Sequence, residues 1–151
     1  MEQYTPGQLV DMGICPTCFD KANGRSLYGD PSERMLFETE DLECFLITNP
    51  RAPGHAIITT KVHYKDTMEL PDTLCREVYS LARRVMLAIK KVYDAESVYL
   101  CTMCDGPMNQ FHLQMIPRYD YEHHGSRNFV KPRGTYIHDP ERIDAVRGLL
   151  R

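Results

Sequence analysis

The chain lacks any apolar run near the roughly 20 residues that a bilayer span requires, which removes membrane-spanning helices from consideration. It also lacks an excess of basic charge. Its 18 Lys and Arg stand against 21 Asp and Glu, for a formal net charge of −3, whereas a binder of nucleic-acid backbone carries a basic face. The basic residues of "SRNFVKPRG" (126–134) are a local exception, read as a solvated loop. The opening "MEQYTPGQLV" has neither the basic nor the apolar stretch of an export signal. The expectation is therefore a cytosolic protein whose six cysteines are thiols or metal ligands rather than bridges. Internal repeats and low-complexity segments are absent, and 151 residues leave no room for two ordinary domains. A single domain over 1–151 is what these absences leave.

What is present begins with "CPTCFDK" and "ANGRSLYGDPSE", rich in turn formers, which predict a loop with a short knuckle. "RMLFETEDLECFLITN" sets apolar residues on both sides of the polar Glu38–Asp41 turn, then Leu42, Cys44 and Leu46 at period two, and predicts a hairpin. "HAIITTK" predicts a third strand, entered through Pro53 and Gly54. Beyond Pro71, Leu74, Val78, Leu81, Val85, Ile89 and Val92 recur at steps of three and four, predicting one amphipathic helix over about 71–94. "SVYLCTMCD" and, after the Asp105-Gly106-Pro107 turn, "QFHLQMI" predict the fourth and fifth strands. Residues 121–139 turn polar before "PERIDAVRGLLR", opened by Asp139 and Pro140, predicts a short terminal helix. Strands, one long helix, then strands again predict an α+β fold, an antiparallel sheet of about five strands with helices on one side.

The fifth strand carries the chemistry. Strand side chains alternate, so Gln110, His112, Gln114 and Ile116 share one face while Phe111, Leu113 and Met115 share the other. The apolar trio is assigned to the core. The polar trio then lines an open face at about 6.6 Å spacing, the span over which three side chains reach one phosphate. An imidazole there can be a nucleophile, and amides can donate to anionic oxygens without titrating. The bland alternative is a solvent-facing strand edge.

"TNPRAPGHAIITTKVH" and "QFHLQMIPRY", with the long helix between them, resemble the motifs of the histidine triad superfamily. Its small members read Asp-Ile-Asn-Pro, Pro-Gly-His, Pro-Lys-x-His and His-x-His-x-His, often followed by Pro-Arg. The resemblance covers about residues 12–120 and leaves 121–151 as a C-terminal extension. It sets His112 on the central, nucleophilic histidine, Gln110 on the first triad position and Gln114 on the third. Gln at the third position also resembles the branch of galactose-1-phosphate uridylyltransferases and dinucleoside polyphosphate phosphorylases; Gln at the first departs from both patterns.

The resemblance implies attack by His112 Nε2 on the α-phosphorus of a nucleotide or nucleotide sugar, through a covalent nucleotidyl-histidine, with Nδ1–H held by a backbone carbonyl. Gln110 and Gln114 would donate to non-bridging oxygens. N–H groups near Gly106 and Asn109 would cradle the anion, with Asn49 and His55 lining the substrate. For His55 the alternative is a structural histidine bonded to backbone. Small members place an acidic residue for the ribose hydroxyls two positions before Asn49, where this chain has Ile47, so that device is absent. Nucleotidyl transfer or nucleotide hydrolysis is the implied reaction, and a homodimer the implied assembly. Replacement of two triad histidines leaves open a domain that binds nucleotide or a protein partner without turnover.

"CPTC" has the spacing of a zinc knuckle. Zinc-holding family members complete such a pair with the histidine of Lys-x-His and the first triad histidine, which here are His63 and Gln110. Cys15, Cys18 and His63 are thus candidate ligands of a structural zinc. Gln110 is a poor fourth ligand, with water, a displaced histidine or His123/His124 as substitutes. Two buried free thiols are the alternative. In "CTMC", Cys101 and Cys104 point to opposite faces of a strand and read as packing, unless the strand ends before Cys104. A redox reading is disfavoured because neither pair directly precedes a helix whose N-terminus lowers a thiol pKa.

Overall fold

The computed structural model describes residues 4–24, 31–104, 106–125 and 127–151. Strands β1 (Met35–Glu38), β2 (Leu42–Leu46), β3 (Ala56–Thr60), β4 (Ser97–Cys101) and β5 (His112–Arg118) form one antiparallel sheet in the order β1-β2-β3-β5-β4. Thr39 closes the β1–β2 hairpin, its Oγ1 accepting from the N–H groups of Asp41 and Leu42. The α+β class and the strand count agree with the pattern of apolar alternation.

Helix α3 (Asp72–Tyr93) crosses from β3 to β4 and lays Leu74, Val78, Leu81, Val85 and Ile89 on one face of the sheet. There it meets Cys44, Ile58, Leu113 and Met115, the inward residues of three adjacent strands. Asp94, in the left-handed conformation at φ 55°, ends the helix. Helix α5 (Pro140–Leu150) opens with the Asp139 side chain accepting from the Arg142 N–H and buries Ile143, Val146 and Leu150 beside α3 and β1. Gly54, at φ +85°, sits where a Cβ would lie 3.1 Å from the Tyr93 ring. Only glycine lets the loop into β3 press so closely on the end of α3.

Four local expectations change. The N-terminal loop is two short helices, α1 (Pro6–Asp11) and α2 (Pro16–Ala22). A capping box between Thr5 and Gln8, with Pro6 in the first turn, starts α1. The fifth strand begins at His112, because β3 pairs no further than Thr59 opposite His112. Gln110 and Phe111 are left without a ladder, and the Phe111 N–H turns to the Tyr64 carbonyl at 2.7 Å. The fourth strand stops at Cys101, so alternation does not govern Cys104.

The fourth change is the largest. Residues 127–134 stay largely exposed, as expected, but they do not run free: they fold back onto the sheet. Helix α4 (Arg127–Val130) buries Asn128 and sets Phe129 edge-on to Tyr99 at 5.2 Å. Gly134 N–H then donates to the Pro50 carbonyl at 2.6 Å. The segment is polar in composition, and what docks it lies about eighty positions earlier in the chain. Residues 25–30 of the expected first loop, and Asp105 of the expected turn, lie outside the described residues. No helix among the described residues is long and apolar enough to cross a membrane.

Candidate active site

The sheet face away from α3 carries the polar residues of β5. His112 stands directly opposite Thr59, and Gln114 opposite Ile57. Ile57 in turn lies opposite Phe45, and these two form a small buried apolar cluster with Ile47. The position where small triad proteins place an acid is therefore inside an apolar patch, which bars ribose recognition by that device.

His112 is half-buried, and its Nδ1 lies 2.8 Å from the Gln110 carbonyl oxygen. A carbonyl only accepts, so Nδ1 carries the hydrogen and Nε2 keeps its lone pair. The bend at Gln110 and Phe111, where the ladder runs out, brings that carbonyl under the ring.

His55 sits on the same face, just before β3, and is fully buried. Its Nδ1 accepts the Arg51 N–H at 3.0 Å, which leaves Nε2–H to donate to Gln114 Oε1 at 3.1 Å. The amide of Gln114 is thereby assigned: oxygen toward His55, NH2 without a protein partner among the described residues. Burial first, then the Arg133 guanidinium, push the His55 pKa down to about 3; the Gln114 bond opposes them, and Arg51 and Lys131 add to them. His55 is thus a neutral donor that orients Gln114.

Other candidates fall elsewhere. Gln110 Nε2 donates to the Thr60 carbonyl at 3.0 Å and to Thr60 Oγ1 at 3.3 Å, so its amide hydrogens are spent away from the His112 ring. Its Oε1 instead lies 3.9 Å from Cys18 Sγ. The Asn109 N–H is taken by the Gly106 carbonyl at 3.3 Å and its side chain by the Lys65 carbonyl at 2.6 Å, which removes Asn109 from the expected anion cradle. Gly106, half-buried, supplies a carbonyl to that turn. Asn49 is exposed and offers its carbonyl to Arg133 at 3.1 Å. Two residues near the site escaped the sequence reading, Arg51 and Arg133. Arg51 stood inside a quoted motif, and Arg133 inside the one basic run.

Cys15 is the N-cap of α2 and Cys18 lies in its first turn, so this pair does open a helix, contrary to expectation. The thiol is nevertheless not activated: burial, then the hydrogen bond and charge of Cys15, push Cys18 up to about 11. The donor atoms of Cys15, Cys18 and His63 all lie within 4.8 Å of one another, with His63 Nδ1 3.2 Å from Cys18 Sγ. Two sulfurs and an imidazole suit zinc, and a cation between them would reverse the penalty on the thiolates. Gln110 Oε1 is the oxygen at its edge. His123 and His124, exposed on the extension, are not part of this group.

Residues 30–121 match the HIT domain, and the chain belongs to that family, the histidine triad proteins. The extension from 122 onward lies outside the match. The adenylylsulfatase HINT3 of Arabidopsis thaliana is 30% identical over 87 residues, 55% of this chain and 44% of that protein. Among solved structures, a hypothetical histidine triad nucleotide-binding protein of Sulfolobus tokodaii superimposes with a TM-score of 0.63 at 19% identity, covering 90% of this chain and 89% of that one. A zinc-bound histidine triad family protein of Mycobacterium smegmatis does so at 0.60 and 18%, covering 77% and 82%.

His55 gives this site a pH signature. Its folded pKa of about 3 lies below the ordinary 6.5, so the folded state favours the neutral ring. Its contribution is complete above pH 6.5 and drains as pH falls from 6.5 toward 3. Between pH 7 and pH 5, denaturant titrations should show the natural protein losing about 1–2 kcal/mol more than His55→Gln; equal losses would contradict the buried neutral imidazole.

Proposed function

We propose that this chain is a nucleotidyltransferase in which His112 attacks the α-phosphorus of a nucleotide-containing substrate and passes the nucleotidyl group to a phosphate, with hydrolysis as a slower side reaction. The observation that carries the reading is the relay from the Arg51 N–H through His55 to Gln114, which commits the Gln114 oxygen to His55 and leaves its amide NH2 unspent on the strand face that also bears the free Nε2 of His112. In the first step the Nε2 lone pair forms an N–P bond while the P–O bond to the leaving group breaks, the electron pair departing with that oxygen. In the second, an acceptor oxygen displaces Nε2. Gln114 stabilises charge on the phosphoryl oxygens but has no proton to give near neutral pH. Leaving groups already stable as anions are therefore favoured, and they can return as acceptors. The adenylylsulfatase relative acts on a substrate of this kind.

Mixing the protein with a labelled dinucleoside polyphosphate should label His112, and His112→Ala should abolish the label. Added phosphate should accelerate turnover and yield a new product. An adenosine phosphoramidate, whose amine needs a proton, should turn over more slowly, and Gln114→His should raise its rate roughly 100-fold, in the range of general acid catalysis. Faster phosphoramidate turnover by the natural protein would sink the leaving-group argument. Nucleotide binding with no label at all would identify a binding domain.

The cysteine group supports a structural zinc on Cys15, Cys18 and His63, with Gln110 Oε1 nearest as oxygen donor. Bound there, zinc would tie α2 to the residues after β3 and supply no Lewis acid to the phosphate. Metal analysis should find about one zinc per chain. Chelation should expose residues 6–22 to protease while His112 labelling persists; parallel loss of both would refute the separation.

The edge strand β4 and the outer side of α3, where Tyr79 and Leu87 are exposed, form the surface most suited to a homodimer. Light scattering at micromolar concentration should give twice the chain mass, and a monomer would exclude the dimer.

A further inference from the structure

The extension and the loop before β3 exchange guanidinium groups. Arg51 Nη1 donates to the Lys131 carbonyl, and Arg133 Nη1 donates to the Asn49 carbonyl at 3.1 Å. Each contact uses one donor of a side chain that has five. Neither arginine has a carboxylate within ion-pair distance among the described residues. Lys131, whose carbonyl accepts from Arg51, has its own charge neutralised by Glu122 at 2.6 Å. Arg51 Nε is enclosed with no hydrogen-bond partner, an omission that native interiors rarely tolerate without a ligand or water.

The pair is linked through Arg51 by hydrogen bonds to the strand that carries His112. The Arg51 N–H bonds the ring of His55, which holds Gln114. The Arg51 charge reaches Cys101, the β4 residue directly opposite Gln114, and Arg133 weighs on both Arg51 and His55. Arg51 and His55 also border a cavity of about 290 Å3 whose lining includes Pro132, Gly134 and Tyr136. The crossed hydrogen bonds bring two unneutralised guanidinium groups onto the same pair of segments, where like charges repel; an oxyanion bound by both relieves that repulsion and accepts hydrogen bonds from their remaining N–H groups.

We propose that Arg51 and Arg133 form a clamp for a second oxyanion, the leaving group or acceptor that lies beyond the α-phosphate in the reaction at His112. The assignment rests on the phosphate-transfer reading above. As the P–O bond breaks, negative charge collects on the departing phosphate, pyrophosphate or sulfate, and the clamp binds it there. Arg133 comes from beyond residue 121, so the extension acts as a specificity element added to the family domain.

Calorimetric titration of the intact protein with inorganic pyrophosphate tests the clamp without any turnover. Arg133 is exposed, so Arg133→Met keeps the fold, and Arg133→Lys retains the charge without the fork. The natural protein should bind pyrophosphate; Arg133→Met and Arg51→Met should raise Kd at least about tenfold, and Arg133→Lys by less. No binding by the natural protein, or equal Kd in the methionine variants, would overturn the proposal. Separate titrations with phosphate and with sulfate identify the preferred anion, and either preference supports the clamp. Clamp binding without labelling of His112 would remove the nucleotidyl-transfer reading alone, whereas labelling with unchanged variant affinities would remove the clamp alone.

Discussion

The buried bond from His55 Nε2–H to Gln114 Oε1 is the constraint on which the site depends. Its net worth is only about 1 kcal/mol, but breaking it strands a buried donor and acceptor at about 1–3 kcal/mol. The amide of Gln114 is symmetrical enough to sit either way round, and this bond decides that its oxygen meets His55 and its NH2 is the end left unspent. His55 can serve because the Arg51 N–H has already taken its other nitrogen, and because burial and neighbouring cations keep the ring neutral. A charged ring would have no acceptor nitrogen for Arg51.

Around that bond the sheet separates two environments. One face, under α3 and α5, is filled with Leu, Ile, Val and Met. The other holds His112 and Gln114 between the cysteine group near His63 and the returning extension. Gln110 belongs to the cysteine end. The strand ladder stops at His112, so the backbone bends, Gln110 spends its hydrogens on Thr60, and its carbonyl becomes the support for the His112 ring. The backbone of this residue thus serves the nucleophile, while its side chain faces the thiols.

Much of the fold was legible because its signals are local and periodic. The 3.6-residue recurrence of Leu74 through Ile89 and the two-residue alternation in β2 and β5 each state which side faces the core. The Asp139-Pro140 start of α5 reads directly as a cap. The short helices α1 and α2 do carry a local signal, since Thr5, Pro6 and Gln8 spell a capping box, but the turn formers around them mask it. The docking of 127–134 had no local signal at all: a polar, Gly- and Pro-containing run looks the same solvated or packed.

By itself the sequence determined the sheet, the long helix, and the placing of His112 and Gln114 on one face, since alternation along a strand needs no partner to be true. Only the tertiary structure decided which atoms those residues present. The tautomer of His112, the orientation of the Gln114 amide, the diversion of Gln110 and Asn109, and the meeting of Arg51 with Arg133 all depend on groups brought together from distant positions. Hydrogen bonds are directional and specific to their partners, so their outcome cannot be read until the chain has closed around them.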